Sequence, residues 1–368
     1  MKKFAGLFVL LVVTVYSTST VARADEVTDW NGIMLEAAHN AVPPTSPLVM
    51  TRVAAIVQAS VFDAVNGIER RYSSIHVAPA APRGASRRAA AVQAAYASLV
   101  RLYPLQTSTF DAARTASLAA ITDGDPDGGG QSVARGIEWG STVADEIWAW
   151  RSADGFAPPP PPFLGGLAVG EWRPTPPAFL PGAGPQFATM ATWVIESPSQ
   201  FRPAGTPALA SAQYAADFNE TKTMGSLSSS LRSADQTLVA RFWNSTTPVW
   251  LWDRAALGLG RQNEFTLSEN SRLLALLNLA MADAAIACWE AKYHYVTWRP
   301  VTAIPLADTD GNSATVSDPG WSPLLVTPAF PEYPSGHSTV SGAAAGVLAA
   351  VFGSGADFTV DSDFMPGV

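Results

Sequence analysis

The sequence predicts an all-α fold made of two packed helical layers or bundles, and three observations carry that prediction. Apolar residues recur at three- and four-residue steps through long segments, the spacing that puts them on one face of a helix. Short alternating apolar and polar runs, the mark of half-buried strands, are scarce. Alanine-rich stretches are frequent throughout.

Taken in order, helical spacing is expected over 27–40 and 48–68. In the second segment Val53, Ile56, Val57, Val61, Ala64 and Val65 form one stripe. Further helices are expected at 86–103, 107–121 and 131–152, broken by Pro104 and by a turn at 123–130. Asp123, Asp125, Asp127 and Gly128 in that turn match half of a calcium loop, but the twelfth position is Ala134 where a bidentate Glu is needed. The run Asp308 to Asn312 fails in the same way at Pro319, so both read as plain turns. Between Gly155 and Pro207 proline recurs too often for regular helix, since it removes backbone donors and clashes with the preceding turn. That stretch also carries Trp172, Phe179, Phe187, Trp193 and Phe201, which argues for an ordered cover lying across the bundle rather than a flexible linker. Helical spacing resumes at 207–224, 232–244, 248–258 and 267–295. No repeat of 20 to 50 residues is present. The chain thus divides into a leader at 1–24, an N-terminal helical region at 25–155, a Pro-rich irregular cover at 156–206, and a C-terminal helical region at 207–368.

The leader has two lysines, an apolar run from Phe4 to Tyr16 and a small-x-small site at Ala22-Arg23-Ala24. That is the layout of a secretory signal peptide cleaved near Ala24, and it predicts a secreted or periplasmic protein. Cleavage removes Lys2, Lys3 and Arg23 and moves the net charge from -8 to -11. An acidic chain of this kind is a poor partner for nucleic acid or anionic membrane. No later stretch is expected to reach transmembrane length, so no stable membrane insertion is expected. The single cysteine, Cys288, excludes an intrachain disulfide and reads as a small buried hydrophobe.

Chemistry-bearing residues concentrate between Trp289 and Val340. Lys292 extends a stripe of Leu274, Leu277, Met281, Ala285 and Cys288 that otherwise faces the core, where an isolated ammonium is costly. It reads either as an anion ligand or as a lysine snorkelling from a helix end. Arg299 precedes Pro300 and is pushed toward extended backbone, where its planar fork suits two oxygens of one anion or a surface salt bridge. Ser335 stands at the N-cap of the helix opened by Gly336 and His337, an end whose free amides and dipole favour an anion. Ser335 is a cap in any case; Gly336 lets a group approach the backbone closely. His337 has the titration range of a general acid or base, although a histidine at a helix start is more often structural. Trp289 and Phe330 are core or pocket aromatics. Asp283, Glu290 and His294 share a helix face away from Lys292, expected to be solvated or at most supporting. His39 and His76 have no motif around them.

The pairing of K-x6-R-P (Lys292, Arg299, Pro300) with a downstream P-S-G-H (Pro334 to His337) resembles the type 2 phosphatidic acid phosphatase and vanadium haloperoxidase superfamily. The phrases WEAKYHYVTWRPVTAI and FPEYPSGH are most similar to the soluble vanadium-dependent haloperoxidases. The resemblance implies helical bundles of the acid phosphatase/vanadium haloperoxidase type, with a catalytic region at 207–368. It also implies a vanadate cofactor whose oxygens bind Lys292, Arg299, the Ser335 hydroxyl and the Gly336 amide, with Trp289 and Phe330 on the halide side. His337 would give a proton to bound peroxide in a haloperoxidase, or to the departing alcohol in a phosphatase. The family's third motif, S-R-x-x-x-G-x-H, supplies the histidine that ligates vanadium; no histidine or arginine follows His337 here, so the vanadium-ligating His is not present and the region is expected to be C-terminally incomplete. The function expected is an exported vanadate-dependent haloperoxidase-like protein that oxidises halide with hydrogen peroxide, impaired in this chain. The alternatives are a soluble phosphomonoesterase acting on a small phosphate ester, and a non-catalytic helical scaffold with residual phosphate binding.

Overall fold

The computed structural model describes residues 25–122 and 131–365; the expected signal peptide and the 123–130 turn lie outside them. The described residues form eleven α-helices and no sheet: α1 Glu26–His39, α2 Pro47–Glu69, α3 Arg87–Leu102, α4 Thr107–Ala119, α5 Gln131–Ser152, α6 Ala212–Gly225, α7 Ala234–Asn244, α8 Pro248–Gln262, α9 Leu267–Tyr295, α10 Pro300–Ala303 and α11 Gly336–Phe352.

Two helices are central. Helix α2 is capped by the Ser46 hydroxyl with Pro47 in its first turn, and every residue from Met50 to Gly67 is buried. The single stripe expected for it is therefore too narrow, because neighbours cover it all round: α3 and α5 on one side, α9 on another. Helix α9 opens on a reciprocal cap between Thr266 and Glu269 and runs 29 residues, against α2, α8 and α11. Both are long and apolar enough to cross a membrane by composition, against the sequence expectation, and 89% and 72% of their apolar windows are buried inside the fold. A helix at the centre of a bundle needs the same apolar girth as one in lipid.

Small residues let α3 and α5 approach closely. A Cβ at Gly140 would lie 2.5 Å from the Ala90 carbonyl oxygen, and one at Gly136 2.4 Å from that of Ser86. One apolar cluster joins α1, α2, α8, α9 and α11 around Trp30, Met34, Leu274 and Met281. A second joins α2, α5 and α9 and takes in Phe187, Met190 and Trp193 from the Pro-rich segment.

That segment is an ordered cover. Trp172, Phe187 and Trp193 are buried as expected, whereas Phe179 and Phe201 are 62% and 66% exposed and do not anchor it. Its hold on the bundle is polar as well as apolar. The buried Asp283 carboxylate on α9 accepts the backbone N–H groups of Trp193, Val194 and Ile195 at 2.7, 2.8 and 3.0 Å. Arg151, fully buried at the end of α5, donates to the carbonyls of Ala191 and Thr192. Asp154 joins Arg151 to Arg52 of α2. Glu290 pairs with Arg202. The α9 face expected to be solvated or at most supporting is thus the seat of the cover at Asp283 and Glu290, and of the three residues His294 alone is exposed. The turn at Asp308 to Asn312 closes on itself: the Asp310 carboxylate accepts the Asn312 amide and the Thr315 hydroxyl.

Replacing Asp283 with Ala strands three N–H groups at once. The variant is expected to lose about 2–4 kcal/mol, measured by denaturant unfolding, and to become sensitive to proteolysis between residues 190 and 200 before the helices are cut.

Candidate functional site

Lys292 sits on the last turn of α9 before the chain leaves the helix at Val296, whose backbone is left-handed at φ 49°. Leu274, Leu277, Met281, Ala285, Cys288 and Lys292 are all 1% exposed or less, so the core stripe runs unbroken into the ammonium. Its Nζ donates to the carbonyls of Pro331 and Glu332 at 2.8 and 2.9 Å, rather than snorkelling outward. Arg299, extended at φ -88° and ψ 153° before Pro300, grips the same loop. Its Nε donates to the Phe330 carbonyl at 2.7 Å and its Nη1 to the Glu332 carboxylate at 2.5 Å. The remaining Nη2 is buried with no partner among the described residues.

This loop leads into α11. Ser335 is the N-cap, its hydroxyl accepting the Ser338 amide at 3.3 Å, and the amides of Gly336 and His337 come too early in the helix to have partners within it. A Cβ at Gly336 would meet only the Trp289 ring, at 3.4 Å. His337 Nε2 lies 3.1 Å from the Trp243 carbonyl. A carbonyl only accepts, so Nε2 carries a proton and Nδ1 is left as the second ring site. Trp289 is held by a bond from its Nε1 to the Ala183 carbonyl and packs on Phe330 at 5.0 Å between centroids. The Phe330 ring in turn lies 4.9 Å from Lys292 Nζ and 4.6 Å from Arg299 Cζ.

All seven residues singled out from the sequence, Trp289, Lys292, Arg299, Phe330, Ser335, Gly336 and His337, line one cavity of about 880 Å³. Sequence reading missed others on the same wall. Glu332, inside the quoted FPEYPSGH phrase, restrains Arg299. Arg232 also lines the cavity, fixed by bonds from Nε to the Thr237 hydroxyl and from Nη1 to the Ser226 carbonyl. No motif surrounds it, and only the packing of α6 and α7 brings it there. Ala183, Gly184 and Phe187 from the cover, and Leu48 from the start of α2, complete the wall. Of the four histidines in the chain only His337 lines it; His39 packs on Phe364, His76 stacks on Trp150, and His294 is exposed beside Tyr295.

Residues 272–367 match the family described as the VCPO second helical-bundle domain. Over 91 residues the chain is 34% identical to the vanadium chloroperoxidase of Curvularia inaequalis, a match spanning 22% of this chain and 14% of that relative. Among solved structures, a bacterial vanadium-dependent iodoperoxidase superposes with a TM-score of 0.75 and 27% identity, over 89% of this chain and 81% of the other. These matches support a likeness of this chain to the vanadium haloperoxidase superfamily. A bacterial vanadium-dependent chloroperoxidase in its holo form shares the fold with a TM-score of 0.66 and 20% identity, over 90% and 82% of the two chains.

Burial pushes the Lys292 ammonium down from 10.5 to about 8; Cys288 and Glu332 act the other way and Arg299 with it. Below about pH 8 the group is charged, as an anion ligand would have to be, and above it the charge is lost. Inorganic phosphate affinity, followed by calorimetry, is expected to fall as pH rises through 8, by up to about tenfold per unit. Lys292's own contribution to folding has the opposite trend. Its folded pKa lies below the unfolded value, so the penalty for burying the charge is present below pH 8 and is relieved toward 10.5. A fall in affinity over that window therefore separates binding from unfolding by this group.

Proposed function

We propose that this chain is an exported, vanadate-dependent haloperoxidase-like protein acting on hydrogen peroxide and halide. The observation that supports it most directly is the convergence on one cavity of two buried cations, a free guanidinium nitrogen, a helix N-terminus and a histidine. In this reading Lys292, Arg299, the Ser335 hydroxyl and the Gly336 amide hold the oxygens of a tetrahedral anion. The unpartnered Arg299 Nη2 fits that role, since an oxygen would give a buried donor its acceptor. Vanadate, when bound, supplies the Lewis acidity that activates hydrogen peroxide toward halide. His337 holds the proton at the helix entrance, with Nε2 tied to the Trp243 carbonyl and Nδ1 able to exchange it. Trp289 and Phe330 form the apolar, water-poor side where a halide is less solvated and more reactive.

A phosphomonoesterase is the second reading, because the same donors suit phosphate as well as vanadate. A scaffold with residual phosphate binding is the third, favoured by the placement of His39, His76 and His294 away from the cavity.

One set of assays separates the three. Weak vanadate-dependent oxidation of iodide or bromide by hydrogen peroxide is the expected result, impaired because His337 is the one histidine lining the cavity among the described residues. Arg299→Lys is expected to weaken vanadate retention about 10- to 100-fold through loss of the fork. His337→Ala is expected to lower kcat about 10²- to 10⁴-fold while inorganic phosphate still binds. Hydrolysis of p-nitrophenyl phosphate without halide oxidation would select the esterase. A chain inert in both assays, yet raised in Tm by phosphate, would select the scaffold.

A further inference from the structure

Within the apolar cluster that joins α1, α2, α8 and α9 stand four polar side chains, one from each helix: Asn31, Gln58, Asp253 and Asn278. None is more than 1% exposed. They are bonded in pairs. Gln58 Nε2 donates to Asn31 Oδ1 at 2.8 Å, and Asn278 Nδ2 donates to Asp253 Oδ1 at 2.9 Å. Around those two bonds the oxygens Gln58 Oε1, Asp253 Oδ2 and Asn278 Oδ1 have no donor, and Asn31 Nδ2 has no acceptor, among the described residues. Three unpartnered acceptors thus stand against one unpartnered donor. Turning an amide over exchanges its oxygen and nitrogen and leaves the sum of each unchanged. A proton on Asp253 alters the sum: Oδ2 becomes a donor, and two of each remain.

An ionised carboxylate at this depth is costly unless a cation or several donors meet it. Burial pushes the Asp253 carboxyl up to about 7, against the pull of the facing Asn278 and Asn31 amides, and no charged side chain acts on it. The charges on the helices around it are engaged elsewhere. On α2, Arg52 pairs with Asp154, and the Asp63 carboxylate takes the amides of residues 75–77. On α9, Asp283 holds the cover and Lys292 the 330–332 loop. Glu26 of α1 pairs with Arg88, while Asp29 and Glu36 are exposed. His337 of α11 bonds the Trp243 carbonyl, and Arg254 of α8 itself pairs with Asp363.

We propose that Asp253 is a proton-binding site in the core, a neutral carboxylic acid that locks α8 to α1, α2 and α9 and loosens α8 when it ionises. The lock bears on the cavity. Trp252 Nε1 of α8 donates to Ser341 Oγ on α11 at 3.0 Å, and Pro248, in the first turn of α8, lines the cavity wall. Loosening α8 therefore disturbs the seat of α11, whatever the cavity binds. In an unfolded chain the carboxyl titrates near ~3.9, below its folded value. Ionisation is thus resisted only in the folded state: the penalty is absent below about pH 4, grows as pH rises toward 7, and is complete above it.

The test compares the full chain with Asp253→Asn, which keeps the shape and places an amide N–H where the acid has its O–H. Denaturant unfolding of both is followed from pH 5 to pH 8, a range in which the other titrating groups are common to the two. The unsubstituted chain is expected to lose up to about 100-fold in folding equilibrium constant relative to the variant, and the variant is expected to be the more stable at pH 8. Hydrogen exchange of the unsubstituted chain gives a readout that needs no variant. Corrected for the intrinsic rate, the α8 amides are expected to lose protection between pH 6 and pH 8 by about threefold more than those of α3 and α5. A variant less stable by the same amount at every pH means that the carboxylate is ionised and satisfied, by water or a cation, and overturns the proposal. Exchange in α8 that changes no more than in α3 and α5 overturns it as well.

Discussion

The loop at 330–332 is what the site depends on. Lys292 and Arg299 come from opposite sides of the α9 terminus, and together they bind three successive carbonyls, those of Phe330, Pro331 and Glu332. A buried ammonium and a guanidinium are expensive unless hydrogen-bonded, and the loop offers the acceptors that make them tolerable. The same bonds set where the chain enters α11, and so where Ser335, Gly336 and His337 stand. The two cations are therefore supports of the loop: they build it with part of their donor capacity and leave Arg299 Nη2 without a partner among the described residues.

Charge explains why this arrangement is local. The chain carries a net charge of -8, so no general positive field draws anions in, and attraction must arise from groups shielded from water and from the surrounding acids. Enclosure achieves this, since charges interact more strongly where the effective dielectric is low. It also carries the penalty visible at Lys292, whose proton is held less tightly than in water. Glu332 moderates both cations: it takes one arm of Arg299 and opposes the burial effect on Lys292. An incoming oxyanion would compete with that carboxylate for the guanidinium.

The cover shows how an irregular segment becomes a wall. Proline forbids it a helix of its own, so its backbone donors and acceptors are met by others: the Asp283 carboxylate takes three amides and Arg151 bonds two carbonyls. In return it sends Phe187 into the core and the Ala183 carbonyl to both Trp289 and Tyr293. The orientation of Trp289 in the cavity is thus fixed by a residue more than a hundred positions away.

The longer helices, the core stripe ending in Lys292 and the seven candidate residues that share one cavity were legible in the sequence, because periodicity, capping residues and short-range motifs are local properties. The apolar girth of α2 and α9 was legible too, but its meaning was not: composition cannot tell whether protein or lipid surrounds a helix, and burial alone decides it. Asp283 was misjudged for a related reason, since its partners lie about ninety residues upstream on a strand-less segment with no pattern to announce them. Arg232, Glu332 and the cavity itself belong wholly to the tertiary structure. A cavity is the space between elements, and its size and the identity of its far wall are set by how helices distant in sequence pack, which no single stretch of residues encodes.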